Sequence, residues 1–316
     1  MTNADTTLVP VGLGVSQEAR DYIAASRSEA TIRAYQADLR DFERYCQERG
    51  RPALPAEPAT VADYLAHLAQ DGMAASTIGR RVVAIGVGHR MAGVPSPTKA
   101  EVVRLALGGI RRSLGTRQRQ ARALDIPSLR AMVKSMPDDI RGKRDRALLL
   151  VGFSAGLRRS EIVALDAEDV TEEPQGLRLT LRQSKTDQTG EGRQIAILRG
   201  RHAETDPCAA LAAWCEACGV TEGSLFRAIH VSGKLGGRLS GIDVNRIIVR
   251  AAKKAGLDPT GYSGHSLRAG LATSAAASGA SERSIQAVTG HKSTTMLRRY
   301  IRAGSLFQET VTTLDL

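Results

Sequence analysis

Three short stretches in the C-terminal half carry side chains at spacings that could hold an anion, a phosphate among them. In GLRRSEIVAL, Gly156 can end one helix, and Leu157 to Leu165 make the next, with Arg158 and Glu161 three apart on one face. In SGHSLRAG, Ser263 is a good N-cap, which puts His265 and Arg268 in the first turn of a helix running to Gly279. In SERSIQAVTGHKSTTMLRRYIR, one helix stops at Gly290, His291 sits on the turn, and Ser293 can cap a helix carrying Tyr300. An arginine at a helix start opposes the helix dipole, so both arginine positions make better sense with an anion beside them. Each stretch alone also has a plain structural reading. Arg158 and Glu161 can be a surface ion pair, His265 a hydrogen-bonded structural histidine, and Tyr300 a core or interface residue.

The combined spacing is far more specific than its parts. G-L-R-x-S-E is followed by H-x-L-R, then by G-H with its histidine 23 residues past the arginine, then by a tyrosine nine residues further. This set resembles the tyrosine recombinase (phage integrase) family, and within it the Cre-like recombinases. PAEPATVADYLAHLAQDGMAASTI in the first half is similar to the Cre core-binding domain, and SGHSLRAG and MLRRYIR to its catalytic end. The resemblance implies a catalytic set of Arg158, Lys185, His265, Arg268, His291 and Tyr300, supported by Glu161. Two departures stand out. Ala269 occupies a position where many members, though not the Cre-like ones, carry histidine, and His291 stands where Cre itself has tryptophan.

The chemistry that the resemblance implies asks for these residue types. Arg158 and Arg268, aimed at the non-bridging oxygens of a phosphodiester, would stabilise the extra charge of a pentacoordinate transition state. A free tyrosine with a pKa of ~10 is only about a thousandth ionised at pH 7, so Tyr300 needs help losing its proton. His265 is the acceptor in the family scheme, and His291 could donate a hydrogen bond to the phosphate. Lys185, in the polar loop RQSKTDQTG, matches the lysine that protonates the leaving 5′-oxygen. A covalent 3′-phosphotyrosine conserves bond energy, so no cofactor, ATP or metal is required.

The elements that must position these groups are mainly helical with a small antiparallel sheet, an α+β class. Residues 1–15 read as a flexible tail, 16–115 as a helical core-binding (SAM-like) bundle, 116–124 as a basic linker, and 125–316 as the catalytic domain. In the bundle, Ile32, Tyr35, Leu39 and Phe42 repeat at helical spacing before a stop at Gly50. Thr60 with Asp63, and Thr98 with Glu101, have the spacing of capping boxes. STIGRRVVAIGVGHRMAG reads as a helix despite internal glycines. From Arg104 to Arg122 there are six arginines and no acid, which suits a solvated linker that tracks a phosphate backbone. LRLTLRQSK and RQIAILRG flank TDQTGEG as a hairpin, and GSLFRAIHVSGKLGGR contains a short element between helices.

Composition narrows the partner. The 316 residues carry a net charge of +11, and only eight of the 44 basic residues are lysine. Arginine forks suit phosphate oxygens and guanine edges, which favours nucleic acid over an anionic membrane surface. No long apolar run or basic, apolar N-terminal leader is present, so the expected location is cytoplasmic, associated with the nucleoid. Cys215 and Cys218 form C-x-x-C inside a helical run with no second ligand pair, and free thiols are expected for all four cysteines.

The resemblance further implies a two-domain clamp acting as a homo-tetramer on double-stranded DNA sites with inverted repeats, through a Holliday junction. Segments TIRAYQADLR, STIGRRVVAIG and LSGIDVNRIIVRAAKK correspond to groove-entering helices, with Arg33, Arg80, Arg81 and Arg246 as exposed candidates for DNA contact. The final segment, with Leu306, Phe307, Val311 and Leu314, would dock onto a neighbouring protomer. Two rivals remain at this level: a type IB topoisomerase-like enzyme that relaxes one duplex, and a DNA-binding regulator without activity.

Overall fold

The computed structural model describes residues 16–116, 121–182 and 192–290, together with 295, 297, 298 and 300. The chain divides into two compact units, Met1–Arg119 and Gln120–Leu316. The expected N-terminal tail, part of the basic linker, Lys185, His291, the Ser293 cap and the C-terminal docking segment lie outside the described residues.

The first unit contains helices α1 (Gln17–Ala25), α2 (Glu29–Glu48), α3 (Pro58–Gln70), α4 (Ala75–Met91) and α5 (Glu101–Leu114). Ser28 caps α2 by accepting from the Thr31 N–H, and the helix buries Leu39, Phe42, Tyr45 and Cys46 along one face. Tyr64 of α3 packs against both Phe42 and Tyr45 with ring centroids 5.0 Å apart, the centre of a core that includes Leu65, Ile78 and Ile85. Each such buried side chain contributes about 1.5–3 kcal/mol, against which the bundle must hold its chain entropy. The glycines of α4 have a packing reason. A Cβ added to Gly88 would stand 2.9 Å from Leu39 Cδ2, so its absence lets α2 and α4 approach closely.

Two expected caps are corrected. Helix α3 starts at Pro58, with Glu57 at its N-cap, and Thr60 is buried one turn in while Asp63 pairs with Arg51 at 2.6 Å. Proline is pre-set for the first helical position and moves the start upstream of the Thr60–Asp63 pattern. Helix α5 is capped by Ala100 with no side-chain bond, because Thr98 lies in a short 3₁₀ turn and shares a hydrogen bond with Ser96. Glu101 instead holds Arg104 on the same helix at 3.0 Å.

The second unit opens at Arg122, whose N–H donates to Gly261 O, and Leu124, fully buried, whose N–H donates to Ser266 O. Its elements are α6 (Ile126–Lys134), α7 (Ile140–Ser154), α8 (Arg159–Ala164), β1 (Val170–Glu173), β2 (Gly176–Leu181), β3 (Arg193–Leu198), α9 (Pro207–Cys218), β4 (Arg227–Ile229), β5 (Leu235–Arg238), α10 (Gly241–Lys254), α11 (Gly264–Ala277) and α12 (Glu282–Thr289). Leu148 to Val151 are buried on every side of α7, as a central helix requires, and α9 and α11 pack against it. Helix α8 is shorter than the expected Leu157–Leu165: Arg158 has extended backbone angles and is the N-cap, not a first-turn residue.

Strands β1, β2 and β3 form an antiparallel sheet in that order, with Leu177 opposite Ile197 and Leu179 opposite Ile195. All four are buried, the alternation that marked the β2–β3 hairpin in the sequence. Strand β1 was not apparent there, since VTEE offers a single apolar residue. The short element between α9 and α10 is a second hairpin, β4–β5. On α9, Trp214 is fully buried and donates from Nε1 to Leu225 O at 2.9 Å. The C-x-x-C cysteines are free and half-buried on that helix, and burial pushes the Cys215 thiol up to about 11, away from a reactive thiolate. No described helix is long and apolar enough to cross a membrane.

Candidate active site

The site is assembled from three helix termini and one strand. Gly156, with φ of +58°, turns the chain out of α7, and Arg158 then caps α8. Glu161 reaches back from the first turn to accept the Arg158 backbone N–H at 2.8 Å and its Nη1 at 2.5 Å. A carboxylate at this position satisfies an otherwise orphaned N–H of the helix start and fixes the guanidinium at the same time. Arg158 Nη2 extends to the Gly290 carbonyl at 3.4 Å, joining α8 to the end of α12.

Arg268 comes from the second turn of α11, and its side chain is among the most deeply buried of the chain. Its Nη1 donates to Gly156 O at 3.0 Å, so the turn that leads to Arg158 also holds Arg268. Burial, then the Arg158 charge, hold Arg268 below the usual arginine range, and Glu161 opposes the shift. Gly270 explains how this helix lies so close to the unit's first buried segment: an added Cβ would collide with the Leu124 carbonyl.

Ser263 caps α11 as the sequence suggested, accepting from the His265 N–H at 3.3 Å, while Asn245 Oδ1 of α10 takes the Gly264 N–H at 2.7 Å. His265 is thereby held at the mouth of the site, where its Nε2 lies 2.6 Å from the Tyr300 hydroxyl. The two rings are tilted by 56° with centroids 6.0 Å apart. Burial, then Arg268 and Arg158, keep the His265 pKa below its ordinary value, so the imidazole is neutral at pH 7 and able to accept a proton. Tyr300 is half-buried against Ala272, Ala276, Ile285 and Leu297, which orients the ring toward the histidine of its own chain.

The fold thus brings together Arg158, Glu161, His265, Arg268 and Tyr300, which lie far apart in the sequence. Lys185 and His291 lie outside the described residues. One further side chain was missed by the sequence reading. Arg193, the first residue of β3, points into the cluster and pairs with Glu161 at 3.4 Å. Its only sequence signal is its place eight residues after Lys185.

Comparison with known proteins gives the family and the fold. Residues 122–305 match the model of the phage integrase family, and residues 21–91 match the phage integrase N-terminal SAM-like domain. The chain belongs to the phage integrase family. It is a tyrosine recombinase by class. An integrase/recombinase XerD homolog of Selenomonas ruminantium is 37% identical over 300 residues, covering 93% of this chain and 88% of that protein. Recombinase Cre of Escherichia phage P1 is 27% identical over 296 residues, covering 87% and 84%. Of these two, the XerD homolog is the more similar, so the Cre-like motifs do not mark a special kinship with Cre. Among solved structures, the XerH site-specific recombinase in a post-cleavage complex aligns with a TM-score of 0.65 at 19% identity, covering 92% of this chain and 84% of that one. A lambda integrase tetramer bound to a Holliday junction aligns with a TM-score of 0.63 at 20% identity, covering 91% and 76%. These likenesses establish the recombinase fold.

The candidates for DNA contact separate into two kinds. Arg33 on α2 and Arg246 on α10 are exposed, with side chains 73% and 72% accessible. Arg80 is half-exposed and pairs with the buried Asp38. Arg81 corrects the expectation of exposure: its side chain is only 11% accessible and is bound by Asp41 and by the Tyr64 hydroxyl at 2.5 Å. Its helix face turns inward toward two aspartates of α2, so it ties the bundle together.

Proposed function

We propose that this chain is a site-specific DNA recombinase that cuts and rejoins strands through a covalent 3′-phosphotyrosine. The observation that carries the reading is the 2.6 Å contact between His265 Nε2 and the Tyr300 hydroxyl beside two arginines. Tyr300 Oη attacks the phosphorus while His265 takes its proton, and Arg158 and Arg268 stabilise the charge on the non-bridging oxygens. The bond to the 5′-oxygen breaks, and that oxygen takes a proton from Lys185, with His291 donating to the phosphate. Attack by a 5′-hydroxyl of a second duplex reverses each step and joins the strands. The N-terminal helical unit, residues 16–115, holds the DNA, and residues 125–316 carry the chemistry. Four chains act on two inverted-repeat sites by way of a Holliday junction.

The test is a nicked suicide duplex drawn from DNA flanking the protein's own gene. The wild-type chain becomes covalently attached to it and Tyr300→Phe does not. Trapping by the phenylalanine variant would remove Tyr300 as nucleophile. Reciprocal joining of two short sites, which a relaxing enzyme does not perform, completes the assignment.

A further inference from the structure

We propose that Arg193 is a positioning residue for this reaction, a strand-borne brace that holds Arg158 in place from two sides; the proposal rests on the recombinase reading above. The guanidinium of Arg193 lies where β3, α8 and the end of α12 meet. Its Nη1 donates to the Val288 carbonyl at 2.6 Å, and its Nη2 faces Glu161 Oε2 at 3.4 Å. Both partners lead to Arg158. Glu161 holds the Arg158 backbone N–H and Nη1, and the turn after Val288 presents the Gly290 carbonyl to Arg158 Nη2.

Three further features fit a built brace better than a chance contact. Gly290 packs directly on the Arg193 guanidinium, leaving no room for a Cβ, and its φ of +61° already requires glycine. The Arg193 side chain is mostly buried, yet both of its terminal nitrogens reach partners of the cluster. Burial pulls its pKa down, with the Glu161 charge opposing the shift and Arg158 adding a smaller contribution to it, so the guanidinium senses both of its neighbours in the brace.

Placement at the start of β3 means that this strand is pinned to Glu161 and to the end of α12 at its first residue.

The experiment measures covalent trapping on the nicked suicide duplex by the full chain, at saturating DNA, beside DNA affinity and the unfolding midpoint. Arg193→Lys keeps the charge but cannot span both partners, and Arg193→Gln keeps a donor without the charge. Both variants slow trapping by about 10- to 100-fold, the scale of a misplaced reacting group, while DNA affinity stays within about threefold. Because the brace acts through Arg158, adding Arg193→Lys to Arg158→Lys slows trapping by less than about threefold more. Irreversible trapping lets even slow rates accumulate to a measurable level. Full trapping by Arg193→Lys, equal losses in affinity and rate, a collapse of the unfolding midpoint in both variants, or multiplicative losses in the double variant would each overturn the brace. Failure of the wild-type chain to trap DNA at all would instead strike the recombinase reading itself.

Discussion

Two of the arginine clusters among the described residues differ in charge balance. In the N-terminal unit, Arg80 and Arg81 of α4 meet Asp38 and Asp41 of α2, so the two guanidiniums of α4 face two carboxylates, and the solvent-exposed Arg44 adds a third at Asp41. In the second unit, Arg158, Arg193 and Arg268 gather around one carboxylate, Glu161. The first cluster is complete as it stands, and its tyrosine, Tyr64, donates to Asp41 at 2.7 Å. Among the described residues the second carries more positive than negative charge in a low-dielectric setting, an arrangement that favours an incoming anion. A phosphodiester brings one negative charge, and its pentacoordinate transition state a second. For these two clusters, near-balance goes with a structural role and surplus with the proposed binding site.

The largest effect that would break this contrast comes from removing a surplus arginine. Arg268→Gln should reduce the rate of covalent trapping by about 100- to 1,000-fold, because a preorganised donor to the developing charge is lost. Arg81→Gln, from the balanced cluster, should leave the trapping rate of bound complexes within about threefold. Comparable losses from the two substitutions would erase the distinction between the clusters.

Stability should respond in the opposite sense. Asp41→Ala leaves the nearly buried Arg81 short of its main partner and should destabilise the N-terminal unit by about 3 kcal/mol in denaturant unfolding. A change below about 0.5 kcal/mol would show that the aspartate is not needed to balance Arg81.

These contrasts also show what could be read from the sequence. Most helices of both units and the β2–β3 hairpin were legible because apolar spacing is a local property, as were the stops at Gly50 and Gly290, whereas the short α1 was not singled out. The spacing of Arg158, His265, Arg268 and Tyr300 was legible because three of these residues sit at helix starts or just beyond, and such starts have short signatures. Arg193 was not legible, since its partners Glu161 and Val288 are 32 and 95 residues away and only the fold joins them. Arg81 was misjudged for the same reason: nothing around RRVV says that one arginine meets aspartates 40 residues upstream. The false caps at Thr60 and Thr98 failed where a proline or a 3₁₀ turn displaced the helix start.

A moderate effect concerns proton transfer. The Arg268 and Arg158 charges help burial hold His265 below its ordinary pKa. Protonated imidazole has no site left to accept the Tyr300 proton, so activity is lost as pH falls through the lowered pKa. The trapping rate should therefore fall as the buffer is made acidic, with its midpoint below the ordinary histidine value. Arg268→Gln removes the larger of the two charge contributions, so an NMR titration should find the His265 pKa raised toward its ordinary value. An unchanged titration would mean that the surplus charge of this cluster does not reach the proposed base.

The smallest expected effect tests arginines outside both clusters. Among the described residues, Arg33 and Arg246 pair with same-helix acids, Glu29 and Asp243, in solvent-exposed contacts that add little to stability. Replacing either by glutamine should change the unfolding free energy by less than about 0.5 kcal/mol. If each contacts a phosphate, its loss should weaken DNA binding and lower the magnitude of the log Kd against log salt slope by about one unit, since one fewer counterion is released. Arg81→Gln should lower stability while leaving that slope unchanged. A slope that falls for Arg81 and holds for Arg33 and Arg246 would reverse the assignment, placing the DNA on the balanced cluster and leaving the two exposed arginines as plain surface.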